Sequence, residues 1–357
     1  MKDKKVYLTL QNGATFEGRA FGADGEITGE LVFSTGMVGY IETLTDPSNY
    51  GQIVVQTFPL IGNYGMMKSD VESDQAWVSA YVVREICDMP SNFRSEGGLE
   101  EYLKEQGVIG IYGVDTRQIT KILREEGAMN ARVSKKPLTE EEIKTMKAFR
   151  IENAVKAVAK NEKGFYEAEN ANYTVALWNF GSRRSAIENL LKQGCNVIDM
   201  PATSTAEEIL ATGAHGVVLS DGAGNPAENT EIIAEIAKIV GKKPIFGMGL
   251  GHQLLALALG AKTVKHKYGH RGSNQPVKCK KCGKVYISTQ NHGYEVVSSS
   301  VTEGEVRFVN ANDNSCEGIV YEELHAISTQ FQPEACSIGN PENPLYKKFF
   351  TMMEEVK

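Results

Sequence analysis

The stretch that decides the fold is Pro244-Ile245-Phe246-Gly247-Met248-Gly249-Leu250-Gly251-His252-Gln253-Leu254-Leu255-Ala256-Leu257-Ala258. It begins as a short apolar strand, passes through a glycine-rich turn and continues as a helix rich in Leu and Ala. Such a strand–turn–helix lifts one residue above the end of a sheet and points a helix N-terminus at it, as in a nucleophile elbow. A Ser or Cys is expected at the tip, but the residue there is Gly249, which has no side chain.

Strand and helix patterns alternate around this stretch from Tyr173 onward. Predicted strands cover 174–178, 196–200, 216–220 and 325–330, and predicted helices cover 184–193, 205–211, 228–240 and 345–353. The alternation predicts a doubly wound, mainly parallel sheet with right-handed crossovers. Ligands of such sheets bind beyond the carboxyl ends of the strands, where the glycine-rich turns at Gly222 and Gly249 are both expected.

The first half of the chain has a different pattern. An alternating strand at 6–10, the hairpin signal Asn12-Gly13 and later helix patterns at 99–106 and 115–126 predict a mixed α/β domain. Residues 136–172 are rich in Lys, Glu and Asn and only weakly periodic. The chain of 357 residues is therefore expected to contain an N-terminal domain at 1–135, a connecting segment at 136–172 and a second domain at 173–357.

Composition restricts the class of protein. Lys plus Arg is 38 and Asp plus Glu is 45, so the net charge is −7, which argues against nucleic acid as the main partner. No signal-peptide pattern begins the sequence and no apolar run is long enough to span a membrane, so a cytoplasmic location is expected. The six cysteines are then more consistent with free thiols than with disulfides.

Four segments of the second half resemble the signatures of class I glutamine amidotransferase domains. They are the elbow GMGLGHQLLALALGAKT, the turn SDGAGNP, QNHGYEV and the terminal QPEA. The first half adds TDPSNYGQIV and GVDTRQITKILREEGA. Together, over nearly the whole chain, these segments resemble the small-subunit family of glutamine-dependent carbamoyl-phosphate synthetases.

The resemblance implies a particular chemistry. In that family an elbow Cys attacks the side-chain amide of glutamine, a His acts as base and acid, and a Glu orients the His. The matching positions here are Gly249, Gln332 and Glu334, and only Glu334 keeps the family's residue type. Glycine has no nucleophile and a glutamine amide does not titrate near neutral pH. Because such residues act as a unit, the thioester route is predicted to be absent.

The resemblance also implies binding residues and partners. The positions that correspond to glutamine-binding residues are Ser48, Gly222, Gly224, Leu250, Gln253, Asn291, Gly293 and Tyr294. In the family, ammonia passes to a large subunit that makes carbamoyl phosphate for arginine and pyrimidine biosynthesis. A large-subunit partner is therefore expected, with ATP and magnesium on that subunit and no cofactor in this chain.

A metal site is the remaining question raised by the sequence. Cys279-Lys-Lys-Cys282 resembles half of a zinc knuckle, but a structural zinc needs four ligands and no second CxxC is present. The nearby His266, His270 and His292 fall in what the family uses as a surface hairpin. No metal is therefore predicted, with Cys279 and Cys282 left as the candidate pair.

Three functions remain open from the sequence. The first is a small subunit that has lost its glutaminase and supports ammonia-dependent synthesis by a large subunit. The second is a pseudoenzyme that binds glutamine without cleaving it or acts as a scaffold. The third is a working glutaminase with different chemistry, for which Cys336, two residues past Glu334, is the one nearby thiol in sequence.

Overall fold

The chain forms two compact units, Met1–Glu152 and Asn153–Lys357. The structure is a computed structural model, and it describes residues 4–337 and 343–356. Within these ranges no helix is both long and apolar enough to cross a membrane. Residues 136–152 belong to the first unit, and residues 153–172 belong to the second.

The first unit contains nine strands and four α-helices among its described residues. The strands are β1 (Lys5–Leu10), β2 (Thr15–Gly22), β3 (Ile27–Ser34), β4 (Gln52–Gln56), β5 (Leu60–Ile61), β6 (Ala80–Val82), β7 (Glu85–Ile86), β8 (Ile109–Tyr112) and β9 (Met129–Ser134). The helices are α1 (Tyr40–Thr45), α2 (Leu99–Glu105), α3 (Thr116–Glu126) and α4 (Glu140–Lys147).

Seven of these strands close into a barrel in the order β1-β2-β8-β6-β4-β3-β9. Its β3, β4, β6 and β8 run parallel, and the other neighbours are antiparallel. The predicted hairpin at Asn12-Gly13 joins β1 to β2. Asp115 caps α3 by accepting a bond from the N–H of Gln118, and the helix ends at Gly127.

The second unit contains eleven strands and six α-helices among its described residues. The strands are β10 (Gly164–Tyr166), β11 (Tyr173–Phe180), β12 (Cys195–Pro201), β13 (Gly216–Gly222), β14 (Ile245–Met248), β15 (Thr263–Cys279), β16 (Val285–Val296), β17 (Glu305–Asn310), β18 (Cys316–Tyr321), β19 (Ala326–Thr329) and β20 (Gln332–Cys336). The helices are α5 (Ala154–Val158), α6 (Arg184–Lys192), α7 (Ala206–Ala211), α8 (Thr230–Ile239), α9 (Leu250–Ala258) and α10 (Pro344–Glu355).

These strands form one sheet in the order β10-β12-β11-β13-β14-β19-β18-β17-β15-β16-β20. The five central strands run parallel, which confirms the predicted doubly wound architecture; they are β12, β11, β13, β14 and β19. The strands beyond β19 are antiparallel and extend the sheet. Apolar clusters cover both faces, and Trp178 and Phe246 are fully buried in separate clusters.

The sheet register positions the site. β13 and β14 pair at Leu219↔Gly247, so the two chains leave their carboxyl ends side by side. α9 begins directly after the tip at Gly249 and is buried over most of its length. The strand, turn and helix predicted from 244–258 are therefore present, and the SDGAGNP turn lies next to the elbow.

Candidate functional site

The elbow tip has a backbone conformation that suits glycine. Gly249 has φ 52° and ψ −111°, and its N–H donates to the carbonyl of Thr329 at 2.9 Å. This bond attaches the turn that follows β14 to the end of the neighbouring strand β19. A residue with a side chain would be strained here by about 1–3 kcal/mol, so glycine stabilises the turn.

Asp221 fills the space above the tip. Extending the β13–β14 register by two residues places Asp221 beside Gly249. Its Oδ1 accepts hydrogen bonds from the N–H of Gly222 at 2.8 Å and from the N–H of Leu250 at 3.0 Å. A β-carbon built at Gly249 would lie 2.1 Å from that Oδ1 and 2.4 Å from the Asp221 Cγ. Asp221 would therefore have to rotate away before any side chain could stand at the tip.

The two converging N–H groups form an anion-holding arrangement. The N–H of Leu250 belongs to the first turn of α9, where helix N–H groups have no partner within the helix and the helix dipole favours negative charge. Two backbone donors aimed at one oxygen are also what a tetrahedral oxyanion needs. In this chain one oxygen of Asp221 already accepts both bonds, so the site contains its own anion.

Gln332 and Glu334 lie on β20, which follows the end of β19 by two residues. Gln332 is buried, and it pairs with Thr289 of β16. Glu334 forms an ion pair with Arg183, with Oε1 2.8 Å from Nη2 and both side chains nearly inaccessible to solvent. The carboxylate of Glu334 thus has a guanidinium as partner.

The turn residues predicted to line the pocket are tightly packed. A β-carbon at Gly222 would lie 2.5 Å from the carbonyl oxygen of Phe180 and 2.7 Å from Leu250 Cδ2. Gly224 has φ 88°, and a β-carbon there would meet Ala154 at 2.5 Å. Both positions need glycine, because the backbone of the turn lies directly against α5 and the end of β11.

Gln253 joins the elbow helix to the strand that carries the other predicted binding residues. Its Nε2 donates to the carbonyl of Tyr294 and to Gln330 Oε1, each at 2.8 Å. Asn291, Gly293 and Tyr294 follow one another along β16 and are half-buried. All seven of the predicted positions in the second unit therefore lie on three connected elements: the β13 turn, α9 and β16.

Ser48 lies in the first unit, in a short turn of 3₁₀ helix at Pro47–Asn49. Its N–H and its hydroxyl both donate to Asp46 Oδ1, at 2.9 and 2.6 Å. Asp46 thereby fixes the Ser48 side chain within that unit. Its assignment to glutamine binding stays a prediction.

His252 is fully buried in α9, and its Nδ1 lies 2.8 Å from Ser328 Oγ. Burial lowers the pKa of His252 to about 3, so its imidazole is neutral at all ordinary pH values. His252 is therefore a packing residue of the elbow helix.

The cysteine pair forms a tight turn at the end of β15. Cys279 is buried and Cys282 is exposed, and the N–H of Cys282 lies 3.5 Å from Cys279 Sγ. Bonds from the Lys284 backbone and from Cys279 lower the pKa of the Cys282 thiol. Among the described residues, the groups of three or more side chains that could hold a metal ion together do not include this cysteine pair. They lie around His270.

Two site residues were not predicted from the sequence: Asp221 and Arg183. For Asp221 a signal was available, because an acidic residue at the end of one parallel strand must lie beside the tip of the next. Arg183 follows β11 directly and precedes α6, but nothing in its sequence neighbourhood identifies Glu334 as its partner.

Comparison with known proteins gives the family of both halves. Residues 8–133 match "Carbamoyl-phosphate synthase small chain, CPSase domain", and residues 176–352 match "Glutamine amidotransferase class-I". The carbamoyl phosphate synthase small chain of Clostridium perfringens is 48% identical over 93% of this chain and 95% of its own length.

Two further relatives match over almost the full length of both chains. The small chain of a Bacillus cereus strain is 44% identical over 99% of this chain and 97% of its own. The pyrimidine-specific small chain of Bacillus subtilis is 43% identical over 98% and 96%. The chain therefore belongs to the family of carbamoyl-phosphate synthase small chains, with a class I glutamine amidotransferase domain as its second half.

Proposed function

We propose that this chain is a glutaminase-deficient small subunit that supports ammonia-dependent carbamoyl phosphate synthesis by a large subunit. Its nucleophile position is Gly249 and its base position is Gln332, and neither residue can perform the assigned step. A thioester cannot form at a glycine, and a neutral amide cannot take a proton from a thiol at neutral pH.

The position of Asp221 is the observation that carries the proposal. Its carboxylate lies where the side chain of an elbow nucleophile would stand and accepts the N–H groups of Gly222 and Leu250. An oxyanion that developed there would meet a fixed negative charge in place of two free donors. Loss of one oxyanion donor alone reduces turnover by about 10²–10³-fold, so this arrangement opposes the family reaction.

Glu334 supports the same proposal from the other side of the site. In the family reaction this carboxylate would orient a histidine, whereas here its Oε1 lies 2.8 Å from the guanidinium of Arg183. A buried carboxylate needs a compensating charge or hydrogen bonds. Arg183 supplies that charge, so Glu334 has a structural role that does not depend on the residue at 332.

The proposal is tested by reconstituting the chain with its cognate large subunit and comparing nitrogen donors. We expect carbamoyl phosphate from ammonia and bicarbonate, and glutamate release from glutamine close to the rate without enzyme. The large subunit alone is the control, because the small chain should improve its stability or ammonia-dependent rate. Glutamine turnover comparable with that of an intact small chain would overturn the proposal.

A partner surface in the first unit is consistent with this assignment. Four large apolar side chains of that unit are strongly exposed: Met37, Val38, Met89 and Phe93. Phe93 is 97% exposed, so contact with a partner would remove a large apolar surface from water. Substituting Phe93→Ser should weaken binding to the large subunit, whereas Phe165→Ser, on β10, serves as the matched control.

Glutamine binding without cleavage is a second candidate function. The hydrogen bond from Gln253 Nε2 to the carbonyl of Tyr294 keeps the predicted binding strand beside the elbow helix. Calorimetry with glutamine, with glutamate and asparagine as controls, tests it. Binding selective for glutamine would favour a sensing role. If none of the three compounds gives a heat of binding, the ammonia-dependent subunit remains as the candidate function.

A further inference from the structure

A buried cluster of imidazole and carboxylate groups lies on the antiparallel part of the second sheet. His270 is on β15, His292 is on β16 and Glu317 is on β18. The exposed fractions of these residues are 4%, 7% and 0%. His270 and His292 are a directly opposed cross-strand pair, so their side chains share one face of the sheet. The expectation that these histidines lie in a surface hairpin is therefore wrong, because β15 and β16 continue the sheet and bury this face.

We propose that His270, His292 and Glu317 bind a divalent transition-metal ion of the Zn²⁺ class. Their inward atoms converge: His270 Nδ1 lies 3.2 Å from His292 Nε2 and 3.3 Å from Glu317 Oε1. His292 Nε2 lies 4.0 Å from the same Glu317 oxygen. Ligand atoms about 2.0–2.1 Å from a tetrahedral zinc lie about 3.3–3.4 Å from one another, so these separations need only small adjustment.

The outer nitrogens of both imidazoles have the partners that metal-bound histidines use. His270 Nε2 donates to Asp313 Oδ2 at 2.9 Å, and His292 Nδ1 donates to the carbonyl of Tyr294 at 2.9 Å. A carboxylate or carbonyl on the far nitrogen fixes the tautomer and directs the lone pair of the near nitrogen inward. Both lone pairs then point into the cluster.

Two oxygen atoms in the cluster lack a suitable donor. Glu317 Oε2 is buried without a hydrogen-bond partner. Gln290 Oε1 lies 3.1 Å from His292 Nε2, while its amide nitrogen donates to Ser288 Oγ at 3.2 Å. Because His292 Nδ1 carries the proton, its Nε2 and the Gln290 oxygen are both acceptors. A cation between them accounts for this contact, with Gln290 Oε1 as a fourth ligand.

The charges around the cluster favour a dication. Glu317 is a fully buried carboxylate and Asp313 is a partly exposed one, and a buried charge needs compensation. The pocket therefore attracts positive charge strongly, and the competing occupant is a proton on His270 Nδ1.

A bound ion would join β15, β16 and β18 and thereby hold the segment that contains Asn291, Gly293 and Tyr294. The inference is independent of the proposed loss of glutaminase, because none of the three ligands belongs to the elbow. Its experiment also needs no enzyme activity. The full chain is purified, its metal content is measured by mass spectrometry, and the chelator-stripped protein is titrated with Zn²⁺ and with Mg²⁺ by calorimetry.

We expect one Zn²⁺ per chain and no binding of Mg²⁺. Glu317→Gln should weaken Zn²⁺ binding by more than about 100-fold, and Asp313→Asn, which alters the outer partner of His270 and none of the proposed ligands, by about 10–100-fold. The double variant Cys279→Ser with Cys282→Ser is the matched control and should keep the full stoichiometry. Co²⁺ in place of Zn²⁺ should give visible absorption without a thiolate charge-transfer band.

Three results would overturn the proposal. They are failure of the wild-type chain to bind Zn²⁺ at micromolar concentrations, unchanged affinity in the Glu317→Gln variant, and loss of binding in the double cysteine variant. The wild-type titration does not depend on whether any variant folds. Circular dichroism of each variant separates loss of a ligand from loss of the fold.

Discussion

The carboxylate of Asp221 accepts a 3.0 Å hydrogen bond from the backbone N–H of Leu250, the first residue of the elbow helix. The same oxygen accepts the N–H of Gly222 at 2.8 Å. These two donors would otherwise be available to a substrate oxygen. The proposed loss of glutaminase therefore rests on Asp221 as well as on Gly249 and Gln332, because one Asp221 oxygen accepts both backbone donors.

Restoring glutaminase should therefore need three substitutions. We expect Gly249→Cys with Gln332→His to release little glutamate from glutamine, because the new Cys would meet the Asp221 carboxylate. Adding Asp221→Asn should raise glutamate release by at least about tenfold, since the negative charge next to the oxyanion is removed. The single variant Asp221→Asn controls for effects on folding. Equal rates for the double and triple variants would show that the charge of Asp221 does not oppose the reaction.

Asp221 should also contribute to stability. Its carboxylate satisfies the N–H of Leu250 at the N-terminus of α9 and the N–H of Gly222 at the end of β13, so Asp221→Ala should lower the free energy of unfolding by about 1–2 kcal/mol. Asp221→Asn keeps an acceptor and should cost less. Urea denaturation of each variant, followed by the fluorescence of the buried Trp178 in the second unit, measures both changes in stability.

The control for that measurement is Glu231→Ala, an exposed acid in the first turn of α8. It should change the unfolding free energy by less than about 0.5 kcal/mol, because it is exposed to solvent. An Asp221→Ala variant as stable as the wild type would show that the two hydrogen bonds contribute no net free energy.

The central sheet was predictable from the sequence because its strands have unambiguous signals. The apolar runs that became β11 and β13 are each followed by a helix with polar and apolar faces, and β14 is followed by the mostly buried helix α9. That alternation permits few topologies. The antiparallel extension was harder to predict. β15 contains Gly269 and Gly272 and many polar residues, so its 17 residues do not alternate as a half-buried strand would.

The site was predictable where residues are adjacent in sequence and was missed where tertiary packing supplies the partner. Gly222, Leu250 and Gln253 come from the family resemblance of the turn and elbow segments, and their role in glutamine binding stays a prediction. The Arg183–Glu334 pair joins the start of α6 to β20, about 150 residues later, and only the folded sheet brings them together. The same is true of His270 and Glu317, which meet because β17 holds β15 and β18 in one sheet.

The Arg183–Glu334 ion pair should stabilise the fold and have little effect on catalysis. Both side chains are nearly inaccessible, so removing one partner leaves an uncompensated charge in an apolar environment. We expect Glu334→Gln to lower the free energy of unfolding by about 3 kcal/mol. Ammonia-dependent synthesis at temperatures below the melting transition should be unchanged.

A double-mutant cycle checks this explanation. Arg183→Met combined with Glu334→Gln should recover part of the lost stability, since no buried charge then remains unpaired. Additive losses in the double variant would mean that the two side chains do not interact energetically. A loss of ammonia-dependent activity in a folded Glu334→Gln variant would instead assign that carboxylate a functional role.

His252 should make the second unit sensitive to acid. Its pKa is about 3 in the folded protein against an ordinary value of 6.5, so the unfolded chain binds a proton that the folded chain does not. Its stabilising contribution is complete above pH 6.5 and decreases as the pH falls from 6.5 toward 3, by up to about 1.4 kcal/mol per pH unit. Between pH 6.5 and 5 the wild type should therefore lose about 2 kcal/mol of unfolding free energy through this residue.

The variant His252→Asn, which can still bond Ser328, should show a flatter dependence of unfolding free energy on pH when urea denaturation is measured at each pH. His325→Asn is the control for replacing an imidazole by an amide at a position where the side chain is 37% exposed. Parallel pH profiles for the wild type and the His252 variant would show that burial of this imidazole does not cause the acid sensitivity.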